Sequence, residues 1–155
     1  MEYIQNGDFA TGDFPPWEVV IPPVEIFKED ARSYARFGDG ARLLQRWRMT
    51  VPVPPRVTFS LDIKRSDDVD WNIMHLTLTF IVAGVIEHHP FQVFTEQDWT
   101  TASISLALPD RLERVELFLS RTSGMPGTIS LTNVSFSDQV SRPDAGIEPA
   151  SDSES

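Results

Sequence analysis

The chain is expected to be all-β, an antiparallel β-sandwich of sandwich or jelly-roll architecture. Three observations predict this. Apolar and polar residues alternate with period two in several runs, the cleanest being Val57, Phe59, Leu61 and Ile63 against Thr58, Ser60, Asp62 and Lys64. The 12 prolines and 8 glycines are spread over the 155 residues and punctuate those runs, as turns between short strands require. Nothing alternates a strand with a helical pattern, which excludes parallel α/β folds.

The elements follow in order. Ile4 leads into a turn at Asn6-Gly7, and a second turn falls at Gly12-Asp13. Pro15 and Pro16 forbid a helix there, and Trp17 to Ile21 reads as a strand ended by Pro22-Pro23. Val24 to Phe27 is a short strand, and Lys28 to Arg32 a polar connection. Ser33 to Phe37 puts Ala35 and Phe37 on one face, Tyr34 and Arg36 on the other. Leu43 to Val53 is a long strand with Leu43, Gln45, Trp47, Met49 and Val51 on one face and Leu44, Arg46 and Arg48 on the other. Val57 to Lys64 follows.

After a loop at Ser66-Asp67-Asp68, Asn72 to Val82 turns Met74, Leu76, Leu78, Phe80 and Val82 to the core and Ile73, His75, Thr77, Thr79 and Ile81 away from it. Val85 to His88 and Phe91 to Phe94 are shorter strands broken by Pro90. Further strands carry Ile104, Leu106 and Leu108, then Val115, Leu117 and Leu119, then Ile129, Leu131, Val134 and Phe136. The last has a phase slip at Asn133, the mark of a bulge. The total is about eight to ten strands by the alternation template. Residues 1–137 form this domain. Residues 138–155 have almost no large apolar side chains and are expected to be a disordered acidic tail.

Charge and composition exclude several functions. The 23 Asp and Glu against 13 Lys and Arg give a net charge of −10, which repels nucleic-acid phosphates and anionic membrane surfaces. With no cysteine, disulfides, thiol catalysis and zinc–thiolate sites are out. Met1-Glu2-Tyr3-Ile4 does not open as a signal peptide, and the apolar stretch around Phe80–Ile86 is too short to span a bilayer. These features leave the compartment open. There is no G-x-S-x-G elbow and no glycine-rich phosphate loop. His88 and His89 point to opposite faces of a strand and cannot readily chelate one metal.

Three segments together resemble the galactose-binding-like, carbohydrate-binding-module β-jelly-roll superfamily. Ile4-Gln5-Asn6-Gly7-Asp8-Phe9 with Gly12 and Trp17 is similar to its opening "N-G-x-F-E-x-G…W". Leu44-Gln45 through Val51, then Pro54 and Thr58 to Lys64, is similar to its "L-x-Q-x-V-x-V-P…Y-x-L-S-F-x-V-K" centre. Trp99-Thr100, Ser103 to Leu108, Val115 to Leu119 and Gly127 to Phe136 are similar to its ending. The resemblance covers nearly all of residues 3–137 and implies a non-catalytic, lectin-like carbohydrate-binding module. Many members hold a structural calcium between the first and last strands. Here Ala10 replaces the usual Glu, and Thr132-Asn133 stands where acidic residues are usual, so calcium is disfavoured and no cofactor is expected.

Within that frame Trp17, Trp47 and Trp99 are expected to be buried. Trp71 shares the non-core parity of His75 and is the candidate sugar platform. His75, Asp62, Lys64 and Arg48, all on non-core faces, are the candidate hydrogen-bonding partners. Their alternative role is a solvated sheet face with cross-strand ion pairs. The alternative function is a structural or protein-interaction sandwich, self-associating as a homo-oligomer or attaching a protein partner on a cell or virion surface.

Overall fold

The computed structural model describes residues 1–66, 72–124, 126–139 and 142–150. Its strands are β1 (Glu18–Ile21), β2 (Val24–Glu29), β3 (Arg32–Phe37), β4 (Arg42–Arg48), β5 (Arg56–Arg65), β6 (Ile73–Val82), β7 (Val85–Phe94), β8 (Thr100–Ala107), β9 (Leu112–Arg121), β10 (Ile129–Ser137) and β11 (Ile147–Pro149). No helix occurs among the described residues. The strands form two antiparallel sheets, one ordered β1-β4-β9-β6-β7-β11 and the other β2-β3-β10-β5-β8. This is the predicted sandwich.

Alternation places the core. From the five-stranded sheet, Phe59, Leu61, Ile63, Leu131 and Phe136 are fully buried; from the six-stranded sheet, Leu43, Met74, Leu76, Leu78, Leu117 and Leu119 are. Each such side chain contributes roughly 1.5–3 kcal/mol by leaving water. Gln45, on the core face of β4, is also buried. Its side-chain amide satisfies both backbone groups of Gln5, donating to the Gln5 carbonyl and accepting from the Gln5 N–H, each at 2.9 Å.

The phase slip in β10 is real. Asn133 has φ 52°, and the pairing with β5 shifts between Thr132 and Ser135. The bulge lets Leu131 and Val134 both face inward. Beyond it, the N-terminal segment runs beside β10: the Val134 N–H donates to the Gly7 carbonyl at 3.0 Å, and the Tyr3 N–H to the Phe136 carbonyl at 3.0 Å. A Cβ on Gly7 would stand 2.1 Å from the Val134 carbonyl oxygen, so only glycine fits. The Thr132 hydroxyl donates to the Ser33 carbonyl at 2.6 Å and lies 3.3 Å from the Asp8 carbonyl. A side-chain hydroxyl thus stands among the carbonyls that join the opening loop, β3 and β10.

Four expectations are corrected. The strand from Leu43 ends at Arg48, and Val51 is 93% exposed rather than inward, because the prolines that follow end the pairing. Pro90 does not break β7, which runs unbroken from Val85 to Phe94. Its carbonyl accepts from the Ala150 N–H, so the missing N–H lies on the side away from β6 and costs no β6–β7 bond. The fold also continues past residue 137. The Ala145 N–H and carbonyl pair with Ser103 of β8, and β11 then pairs with β7, burying Ile147. Backbone pairing to two sheet edges orders this stretch despite its polar composition. Finally, Trp99 lies outside the core cluster and is half-buried, whereas Trp17 is buried and Trp47 packs partly against the core.

Two outcomes follow for stability. Gly7→Ala is expected to destabilise the fold by about 3 kcal/mol, through the clash with β10; the urea midpoint measures it. Thr132→Val is expected to cost about 1 kcal/mol, also read from the urea midpoint, and added calcium should restore neither variant.

Candidate functional site

The residues chosen from sequence do not form one cluster. Sequence neighbours β4, β5 and β6 alternate between the sheets, so β5 and β6 are not adjacent strands. Asp62 and Lys64 therefore lie on the outer face of the five-stranded sheet, and His75 and Arg48 on the outer face of the six-stranded sheet. Even these two are separated: His75 pairs with Ser120 of β9 and Arg48 with Arg114. Six residues along a strand span roughly 20 Å. Trp71, the expected platform, lies outside the described residues.

The register builds the His75 face in rows. Across β4, β9, β6 and β7 the outward residues are Arg42, Ser120, His75 and Gln92; then Leu44, Phe118, Thr77 and Pro90; then Arg46, Glu116, Thr79 and His88; then Arg48, Arg114, Ile81 and Ile86. Strands sit about 4.8 Å apart and rows about 7 Å apart. Leu44 and Ile81 are buried although they belong to the outer face. Half-buried Phe118, beside Leu44 in the register, gives the face its apolar floor.

Around that floor stand hydrogen-bonding groups. One His75 ring nitrogen, Nε2, bonds the Thr122 hydroxyl at 2.6 Å. The Thr79 hydroxyl bonds Nδ1 of His88 at 2.9 Å, and Arg46 approaches Glu18 at 3.7 Å. The side chains of Gln92, Ser120, Thr77 and Glu116 have no hydrogen-bond partner among the described residues. Phe118 was missed in the sequence, yet a signal existed: with Val115, Leu117 and Leu119 inward, Phe118 must face outward.

The opposite face is different. There Asp62 accepts from the Thr101 hydroxyl at 2.6 Å and from the Asn133 amide at 2.8 Å. The Ser103 hydroxyl donates to the Pro143 carbonyl at 2.7 Å, and Asp144 accepts from the Ser105 N–H at 2.8 Å. Asp62 is thus held by its own sheet, and Ser103 and Ser105 by the C-terminal segment. Among the described residues no group of three or more acidic or histidine side chains is placed to hold a metal ion.

No protein-family model matches the chain, and no curated protein matches it. Solved structures do. A family 16 carbohydrate-binding module superposes with TM-score 0.70 at 14% identity, over 88% of this chain and 99% of that one. The carbohydrate-binding module TmCBM61, solved with β-1,4-galactotriose, gives 0.61 at 13% identity over 88% and 97%. The enzymatically active domain of bacteriophage CBA120 tailspike protein 4 gives 0.70 at 12% identity, over 88% of this chain but 21% of that chain. The chain thus has the β-jelly-roll fold of these carbohydrate-binding modules, at the length of a whole module.

Proposed function

We propose that the chain is a non-catalytic carbohydrate-binding module and that the His75 face of the six-stranded sheet holds the saccharide. The observation that carries this reading is the set of unpartnered hydrogen-bonding side chains around an apolar floor. A pyranose offers C–H bonds on its face and hydroxyls at its rim. Phe118 would take the former. Gln92, Ser120 and Glu116 would take the latter, with the second ring nitrogen of His75 beside them, each able to donate, accept or both. The strand register fixes these groups in advance, so little ordering is needed on binding. No bond has to be made or broken. The fold neighbours matched over nearly their whole length are binding modules, which supports the same reading.

The test is calorimetry and a glycan array on the intact chain, with β-1,4-galactotriose among the probes. Phe118→Ala is expected to weaken the best-bound oligosaccharide at least tenfold, about 1.4 kcal/mol, and Gln92→Ala by a smaller factor. Arg48→Ala should weaken long oligosaccharides and spare short ones, because Arg48 ends the row farthest from His75. Trp71→Ala should also weaken binding, as the sequence parity with His75 implies. Full binding by Phe118→Ala and Gln92→Ala together would remove the proposed face.

A second reading, self-association or attachment of a protein partner, is favoured by one feature. The edge strand β1 exposes Val19, Val20 and Ile21, and an open edge is a template for pairing. Light scattering separates the two: a stable oligomer that Val20→Lys dissolves supports the second.

A further inference from the structure

The outer face of the five-stranded sheet carries an aromatic row that the core does not use. Phe27 of β2 stacks on Tyr34 of β3 at 5.9 Å, and Tyr34 meets Trp99 edge-on at 5.5 Å. Cations lie along the row. The Arg36 guanidinium is 4.2 Å from the centre of the Phe27 ring, the Arg32 guanidinium 4.6 Å from that of Trp99, and the Lys64 ammonium 5.3 Å from the same indole. Arg32 and Trp99 line a pocket of about 540 Å³ at this end of the sheet.

Arg32, Arg36 and Lys64 are half-buried. Among the described residues none of the three makes an ion pair within 4.0 Å, in a chain with ten more acidic than basic residues. Glu29 stands opposite Arg32 and Glu25 opposite Arg36 in the β2–β3 register, yet the cations turn to the rings. Among the described residues the Arg32 guanidinium and the Lys64 ammonium also donate no hydrogen bond. A partly desolvated cation without a counter-ion favours an anion beside it. Two such cations flank one indole.

We infer that Trp99, Arg32 and Lys64 form a second saccharide site, on the sheet opposite the His75 face, for a sugar chain bearing a carboxylate. A pyranose rests beside the indole and its uronate carboxylate accepts from Arg32 and Lys64. Glu29 and Asp30 line the same pocket and repel a densely charged chain. The site therefore suits a sparsely charged polymer, with one uronate among neutral sugars. The choice of a saccharide rests on the proposed function; the location does not.

Calorimetry on the intact chain would compare xylotetraose with aldotetraouronic acid, a xylo-oligosaccharide bearing one glucuronate, and extend to galacturonate and mannuronate oligomers. The expected result is at least tenfold tighter binding of a uronate-bearing chain than of its neutral counterpart. That advantage should shrink in about 0.5 M salt and vanish in Arg32→Gln and Lys64→Gln, whose folding is checked by thermal melting. Trp99→Ala should abolish uronate binding, and Phe118→Ala should leave it intact. The inference is overturned if no uronate-bearing oligomer outbinds its neutral counterpart, or if Arg32→Gln and Lys64→Gln keep the advantage. It is also overturned if Phe118→Ala abolishes that binding, which would place the carboxylate on the other face. Loss of neutral-sugar binding in Phe118→Ala alone would leave the two sites independent.

Discussion

The close approach of Gly7 to the bulge in β10 is the constraint on which the sandwich depends. β10 sits between β3 and β5 in the five-stranded sheet. At Asn133 its phase slips, and past that point the opening segment takes over its hydrogen bonds through Gly7 and Tyr3. Without the slip, Val134 and Phe136 would face water. With it, Phe136 packs against Tyr3 at 6.0 Å and Trp47 at 5.1 Å. The opening loop is then pinned from its other end, where Phe9 stacks on Trp17 at 5.7 Å and the Trp17 indole donates to the Asn6 carbonyl at 2.8 Å. Backbone bonds from Tyr3 and Gly7 thus join the opening segment to the last strand of the five-stranded sheet.

The same closure makes the two outer faces unlike. The terminal segments spend hydrogen bonds on the five-stranded sheet, where Ser103, Ser105, Thr132 and Ser135 meet Pro143, Asp144, Asp8 and Glu2. The aromatic and cationic corner near Trp99 lies apart from these bonds. On the six-stranded sheet, by contrast, Gln92, Ser120 and Glu116 keep their hydrogen-bonding capacity. Preorganised polar groups over an apolar floor are what a sugar face can use. An equally regular sheet saturated by its own chain offers less.

Part of this was legible in the sequence. Period-two alternation marked most strands and most of their inward residues, down to the slip at Asn133, but ran β4 on past Arg48 and split β7 at Pro90. The parity of β9 also carries Phe118, which must face outward when Leu117 and Leu119 face inward. Trp99 was harder. It precedes the first paired residue of β8, and the parity of a strand does not extend through the irregular residues before it. The burial of Ile147 was hidden too, since a single apolar residue in a polar stretch gives no period.

The sequence by itself determined the strands, the core face of most of them and the sandwich class, because side-chain alternation is a local property of the pleat. Only the tertiary structure decided which strands share a sheet. That choice rests on backbone pairing between distant segments, such as β4 with β9 and β10 with β3, and it leaves no mark in local pattern. It parted Asp62 and Lys64 from His75 and Arg48, and it set Phe118 beside His75 and Gln92 rather than beside the residues nearest to it in the chain.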